Sequence, residues 1–167
     1  IGGFGLTSAE VFNPRVGDWT LVDAMNTDRS RHTATLLPDG QVLVIGGDGG
    51  GPPSAALTTI EIYDPGSPIW GNPNNMNVAR SYHTTTLLPD GAVLVTGGRD
   101  GGIPDSLKSA EVYYPGSNIW ASTGSMDDTR ISHTATLLQN GKVLVVGGFG
   151  NASAELYNPV SNTFTNA

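Results

Sequence analysis

A segment of a β-propeller, all-β and made of four-stranded antiparallel blades, is the architecture to expect of this chain, on three observations. One block recurs about every 50 residues: Thr33-Ala-Thr-Leu-Leu-Pro-Asp-Gly40 returns as Thr84-Thr-Thr-Leu-Leu-Pro-Asp-Gly91 and as Thr134-Ala-Thr-Leu-Leu-Gln-Asn-Gly141. Each copy runs into an apolar stretch and a double glycine, at Gly46-Gly47, Gly97-Gly98 and Gly147-Gly148. Glycine (23 residues) and proline (11) are frequent enough in 167 residues to supply many tight turns, while 38% hydrophobic residues supply a core. A period near 50 with four strand-like segments per unit marks a propeller rather than a helical solenoid.

Residues 32–70 show the unit. His32 to Leu37 mixes Thr with apolar residues and predicts a first strand. Pro38-Asp39-Gly40 predicts a hairpin turn, since Pro presets φ, Asp tolerates the turn and Gly accepts the left-handed position. Asn140-Gly141 is the third copy's version of that turn. Val42 to Ile45 is apolar throughout, as a strand covered on both faces requires. The glycine pair then ends the strand where neighbouring backbone or an aromatic ring leaves no room for a Cβ. Thr59 to Tyr63 predicts a third strand, closed by Asp64-Pro65-Gly66, and a short fourth strand carries Trp70 on the outer edge.

Spacing separates scaffold from loop. From each His (His32, His83, His133) to the first Gly of the pair is 14 residues. From each Glu (Glu10, Glu61, Glu111, Glu155) to the following aromatic (Trp19, Trp70, Trp120, Phe164) is 9 residues. Only the interval from double glycine to Glu varies, at 8, 15, 14 and 8 residues, so a surface loop must lie there.

The double glycine, the later Tyr, the Trp after a short turn and the run Arg-x-x-His-Thr-x-Thr-Leu-Leu-Pro-Asp-Gly-x-Val-Leu-Val-x-Gly-Gly together resemble kelch repeats. The flavour is similar to bacterial kelch proteins and to the propeller domain of the galactose oxidase group. The resemblance covers the whole chain and implies six or seven blades per ring. Ile1 aligns with Ile45, so residues 1–31 read as a half blade (about Ser8 to Val22) plus a connection. Blades at 32–82, 83–132 and 133–167 follow. Three and a half blades do not close a ring, and an open arc exposes a blade face and strand edges. The expectation is therefore a segment of a longer propeller, with ring closure by a second copy or an engineered array as alternatives.

Composition narrows the partners. The formal charge is −7 and Lys and Arg nowhere cluster, which argues against nucleic acid. No apolar stretch approaches the roughly 18 residues of a membrane helix, so membrane insertion is not expected. There is no cysteine for a disulfide or thiolate metal site.

Repeating residues read as scaffold. The three His could line a central channel, and imidazoles suit zinc or copper. Adjacent blades would nevertheless hold them too far apart to share an ion at bonds of about 2 Å, so hydrogen bonds to a neighbouring loop are the better reading. Arg29, Arg80 and Arg130 each stand three residues before a His and repeat as faithfully as the glutamates. Acid and base together predict an inter-blade ion pair or cap rather than hydrolytic carboxylates. The aromatics (Trp19, Trp70, Trp120, Phe164; Phe12, Tyr63, Tyr113, Tyr157) read as blade-to-blade packing rather than carbohydrate platforms.

Function is to be sought in what does not repeat. Tyr82 and Tyr114 match no aromatic in the other copies and are candidates for outside contact. The two long loops, residues 48–58 and 99–109, share a face with the connections 71–82 and 121–132, and Asp48, Arg99, Asp100 and Asp105 supply polar chemistry there. Gly49 to Gly51 lacks the Gly-Lys-Ser/Thr and helix of a phosphate cradle, and neither loop is a calcium loop. Asn151-Ala152-Ser153 matches a glycosylation acceptor by pattern.

Copper oxidases of the resembled group need a Tyr cross-linked to Cys, which a chain without Cys cannot build. Nucleophile-elbow, zinc-helix and Asp-box motifs are absent too. No catalytic residue, metal ligand or cofactor is expected within the chain. The sequence reads as a structural or ligand-presenting module, extracellular or cell-surface, that binds a protein or glycan. The alternative is a piece of a carbohydrate oxidase whose reactive residues lie elsewhere.

Overall fold

The computed structural model describes residues 5–51, 55–67, 69–103 and 105–167. Among the described residues fourteen strands form one two-stranded and three four-stranded sheets, all antiparallel between neighbours. The hairpin pairs β1 (Ala9–Asn13) with β2 (Asp18–Val22). The first full sheet is β3 (Thr33–Leu36), β4 (Val42–Ile45), β5 (Ile60–Tyr63) and β6 (Trp70–Gly71). The second is β7 (Thr84–Leu87), β8 (Val93–Thr96), β9 (Ala110–Tyr114) and β10 (Ile119–Ser122); the third is β11 (Thr134–Leu137), β12 (Val143–Val146), β13 (Ala154–Asn158) and β14 (Thr163–Asn166). Strands of different sheets meet chiefly through β3, β7 and β11, so the first strand of each sheet lies innermost, as in a propeller. The alignment of Ile1 with the end of a second strand falls outside the described residues.

Observed strands differ from the expected ones at three ends. β3 stops at Leu36 rather than Leu37, which closes the turn with its amide on the Gln41 carbonyl at 2.8 Å and its carbonyl accepting the Gly40 amide at 3.0 Å. β3 begins at Thr33 rather than His32, because Arg31 takes φ 56° and breaks the extended run. β5 begins at Ile60 rather than Thr59, whose carbonyl accepts from the Gly46 amide at 3.0 Å and from Arg29 Nη1 at 3.0 Å.

Blade packing explains why the second strands carry no polar alternation. Leu37, Leu43, Ile45, Ile60 and Met76 of the first full sheet and its connection bury against Val93, Val95 and Tyr113 of the next. Leu88, Leu94, Ala110, Val112 and Met126 repeat the arrangement against Val143, Val145 and Tyr157. The aromatic series contributes here, but its closest pairing is within each sheet: Tyr63–Trp70 and Tyr113–Trp120 stand cross-strand with centroids 5.2 and 4.9 Å apart. Each indole also reaches the preceding connection, Trp70 Nε1 to the Asp23 carbonyl at 2.6 Å and Trp120 Nε1 to the Asn74 carbonyl at 2.7 Å.

Both backbone and ring crowd the first two glycine pairs: beside the backbone carbonyls, an imidazole carbon would lie 3.0 Å (His83) from a Cβ on Gly46 and 2.9 Å (His133) from one on Gly97. A Cβ on Gly97 would lie 2.6 Å from the Arg130 carbonyl, and one on Gly98 would lie 2.6 Å from the Ser81 carbonyl. Both have positive φ, 58° and 92°. Gly147, by contrast, has nothing nearer its Cβ position than the Asn151 carbonyl at 3.6 Å.

The repeating Arg and Glu form buried ion pairs: Arg29–Glu61 at 2.8 Å, Arg80–Glu111 at 3.1 Å and Arg130–Glu155 at 2.9 Å. Each joins a connection to the sheet it leads into. Arg80 also donates to the carbonyls of Gly97 and Ser109, both at 2.9 Å, and to the Ser109 hydroxyl. Glu111 in turn accepts the amides of Asn77 (2.9 Å) and Val78 (3.2 Å). Ion pairing with several hydrogen bonds is what lets a charge leave water, even with Nε of Arg29 and Arg130 lacking an acceptor.

The histidines hydrogen-bond neighbouring strands. His83 Nε2 lies 3.0 Å from Thr33 Oγ1, and His133 Nε2 lies 2.9 Å from both Thr84 and Thr96 Oγ1. Burial, followed by the Arg80 charge, lowers His83 to about 3, and burial with Arg130 lowers His133 to about 4. Both imidazoles are therefore neutral in the fold, whereas in the unfolded chain they bind a proton near pH 6.5. Their stabilisation is complete above that value and declines as pH falls towards about 4 and 3.

Three outcomes follow for denaturation. Arg80→Met strands Glu111 without its partner and should remove roughly 3–5 kcal/mol, a sharp fall in Tm; an unchanged Tm would exclude the pair as a structural element. Gly97→Ala should destabilise by more than roughly 2 kcal/mol, and by clearly more than Gly147→Ala, which meets only the φ strain; equal losses would contradict the close-contact account. Stability should fall between pH 7 and pH 5 by on the order of 2 kcal/mol per buried imidazole, a slope that His83→Gln reduces. A slope unchanged by His83→Gln would contradict the neutral-imidazole assignment.

Candidate functional site

Antiparallel connectivity puts the chain's two kinds of link on opposite ends of the blades. The hairpin turns, such as Pro38-Asp39-Gly40, mark one face. The loops between second and third strands and the connections between blades mark the other. Asp48, Tyr82, Arg99, Asp100 and Asp105 all lie on this second, loop face.

Two columns of non-repeating residues build a cluster there. The first is the residue before each His: Arg31, Tyr82 and Ser132, with φ of 56°, 55° and 55°. Non-glycine residues in this conformation are held by their surroundings. Here the Tyr82 amide donates to the Arg31 carbonyl at 3.2 Å and the Ser132 amide to the Tyr82 carbonyl at 3.0 Å, running from blade to blade. The second column is the residue after each double glycine: Asp48, Arg99 and Phe149. Asp48 exchanges backbone hydrogen bonds with Ser30 (3.0 and 2.7 Å), and Arg99 with Ser81 (3.0 and 2.9 Å).

Side chains of the two columns meet on Asp48. Its Oδ2 accepts from Arg31 Nη1 at 2.9 Å and from Arg99 Nη2 at 3.3 Å. Asp48 is 1% exposed, while Arg31 and Arg99 keep 35% and 32% of their side-chain surface in solvent. Burial alone would raise the Asp48 carboxyl, but hydrogen bonds from Ser81 and Arg31 and the Arg99 and Arg31 charges outweigh it and hold the carboxyl below its usual value. The hydrogen bond to Asp48, against some loss of hydration, raises Arg31 in turn. Both guanidinium carbons lie over the Tyr82 ring, 4.8 Å (Arg31) and 5.1 Å (Arg99) from its centroid.

Asp100 and Asp105 shape the loop beside this cluster. Asp105 Oδ1 accepts the Gly101 amide at 2.7 Å, Asp100 Oδ1 accepts the Gly102 amide at 2.8 Å, and Asp105 Oδ2 stands 3.6 Å from Arg99 Nη1. Pro52, Pro53, Ser54 and Pro104 of the two long loops lie outside the described residues. Tyr114 does not join the others. It ends β9 on the turn face, in a groove of about 410 Å³ with Pro38, Asp39 and Asp90. The inner strands form an open groove of about 370 Å³ lined by Thr33, His83, Thr84, Thr85, His133 and Thr134. Among the described residues no three His, Cys, Asp or Glu converge as a metal site.

Arg31 is the residue that sequence reasoning missed. Its signal was present, because it occupies the same repeat column as Tyr82.

The Kelch motif family model matches residues 29–77 and 80–127, more than half of the chain. Each match opens on a buried arginine, Arg29 or Arg80, and includes the glutamate it pairs with. A galactose oxidase of Gibberella zeae is 39% identical over 74 residues, 42% of this chain and 11% of that protein. The tRNA wybutosine-synthesizing protein 4 of Saccharomyces cerevisiae is 38% identical over 48 residues, 29% of this chain and 7% of that protein. Each of these alignments thus spans about a tenth or less of the curated relative's length. Buried Arg–Glu pairs, glycine pairs and four-stranded antiparallel sheets recur at the positions the motif covers, and the chain belongs to the kelch-repeat family of β-propellers.

Proposed function

We propose that this chain is a structural, ligand-presenting kelch module whose loop face, centred on Asp48, Tyr82 and Arg99 with Asp100 and Asp105 beside them, binds a protein or carbohydrate partner. One observation carries the reading. The residues common to all repeats are consumed in buried ion pairs and blade packing, whereas Asp48, Tyr82 and Arg99, which differ between repeats, converge at this face. Tyr114 offers a separate contact on the turn face. Val146 is exposed where its counterpart Thr96 is buried, so the open face of the last sheet is where a further blade or a second copy would seat. An extracellular or cell-surface setting belongs to this proposal.

Similarity to galactose oxidase favours a second reading, in which the propeller supports a carbohydrate-oxidising protein whose reactive residues lie outside this chain. Either way the loop face is the contact surface.

Binding to a glycan array tests the carbohydrate arm. Tyr82→Ala should weaken any captured glycan by at least about tenfold, a hot-spot loss, while Asp90→Asn on the turn face should leave it unchanged. A photo-crosslinking side chain at position 82 or position 90 tests the protein arm, with adducts expected at 82 alone. Adducts only at 90 together with an empty array would overturn the reading.

A further inference from the structure

Arg99 differs from the buried arginines in exposure more than in carboxylate distance, since Arg80 reaches Glu111 at 3.1 and 3.3 Å. Arg80 and Arg130 make hydrogen bonds of 2.9 and 2.7 Å to the glycine-pair carbonyls and have no exposed surface. Arg99 reaches Asp48 at 3.3 Å, the Ser81 hydroxyl at 3.4 Å and Asp105 at 3.6 Å, all longer than a well-made charge-assisted bond of about 2.7–2.9 Å. A guanidinium has five N–H donors in a rigid fork matched to a carboxylate. That fork is therefore under-used here, is one-third exposed, and is held in place from behind by the Tyr82 ring.

Charge around it points the same way. Arg99 shares one oxygen of the buried Asp48 carboxylate with Arg31, and its own contact is the longer, 3.3 against 2.9 Å. The remaining carboxylate in ion-pair range of Arg99 among the described residues is Asp105, which is 42% exposed and anchored by its other oxygen to the Gly101 amide. An exposed pair at this distance contributes little.

We infer that the Arg99 fork, backed by Tyr82 and flanked by Arg31, is a subsite for the carboxylate of a ligand, with Asp105 as its weak internal stand-in. The ligand class is a small carboxylate-bearing molecule, whether a sugar acid or an acidic amino-acid derivative. This assignment rests on the loop face being the binding face, and it adds the chemistry that face selects. Ligand binding displaces water and the Asp105 side chain from Arg99 and leaves the Asp48 contacts in place.

Amide and Arg Nε resonances of the intact chain, followed at low salt during titration with D-galacturonate, N-acetylaspartate and neutral D-galactose, test it. Saturable shifts at Tyr82 and Arg99 are expected with the two acids and not with galactose, and selectivity between the acids separates the two ligand sources. Arg99→Gln should weaken binding at least tenfold, Arg99→Lys should restore only part of it, and Asp105→Asn should tighten it several-fold by removing the competitor. Unchanged amide shifts at Asn77 and Val78 certify that each variant keeps its fold. Galactose shifting the same residues as strongly as the acids would overturn the carboxylate subsite while sustaining the loop face. Absence of saturation by either acid, or weaker binding by Asp105→Asn, would also overturn it.

Discussion

Three guanidinium groups, those of Arg29, Arg80 and Arg130, have no solvent exposure, and each fastens a connection to the sheet that follows it. Such a burial is tolerable only because each charge is paired and widely hydrogen-bonded. Arg29 meets the Glu61 carboxylate, the Gly46 and Thr59 carbonyls and the Thr59 hydroxyl. Glu61 uses its oxygens for the Asn26 and Thr27 amides as well. One ion pair thus ties together a connection, the end of a second strand and the start of a third. A pair of this kind need add little net stability over an apolar replacement. Its one-sided removal is what is expensive, and that asymmetry penalises any other register of connection on sheet.

The loop face inherits its geometry from this fastening. With Arg80 fixed, its carbonyl accepts the Gly47 amide at 2.8 Å and crowds the Cβ position of the preceding residue, which is why glycine stands at Gly46. The same approach sets Ser30 beside Asp48 and Ser81 beside Arg99, and it places Arg31 and Tyr82 in the left-handed region immediately before the innermost strands. Repeated, buried residues therefore dictate the positions, and the variable residues at those positions dictate the chemistry. The neutral histidines belong to the first group: hydrogen-bonded to Thr hydroxyls of neighbouring strands, they build the inner wall.

Repetition made the scaffold legible and left the site largely hidden. Val42–Ile45 was readable as a doubly covered strand because a short, mostly β-branched apolar run lies between a Pro-Asp-Gly turn and a glycine pair. The Arg–Glu pairing was readable because both partners recur at fixed spacing. Contacts within the loop face were not readable, since they join residues from different repeats whose proximity depends on blade-to-blade geometry. Asp48 and Arg99 are 51 positions apart yet share an ion pair. Arg31 stands in the same column as Tyr82, but its reach to Asp48, 17 positions on, is set by loop geometry that spacing does not show. Tyr114 looked equivalent to Tyr82 by its failure to repeat, but strand direction sends it to the other face. Ser153 illustrates the converse. As part of a glycosylation-like tripeptide it invites a functional reading, yet its hydroxyl lies 2.7 Å from Arg130 Nη2, the place taken by Thr59 and Ser109 in the earlier repeats.

Native-state hydrogen exchange reads the central interaction most directly, because the backbone amides of Asn77 and Val78 lie in a connection outside any strand and donate to the buried Glu111 carboxylate. If the ion pair fastens the connection, these amides exchange as slowly as those of the core strand Val93–Thr96, through the same cooperative opening. Exchange at the rate of a frayed surface loop, while the core strand stays protected, would contradict the account.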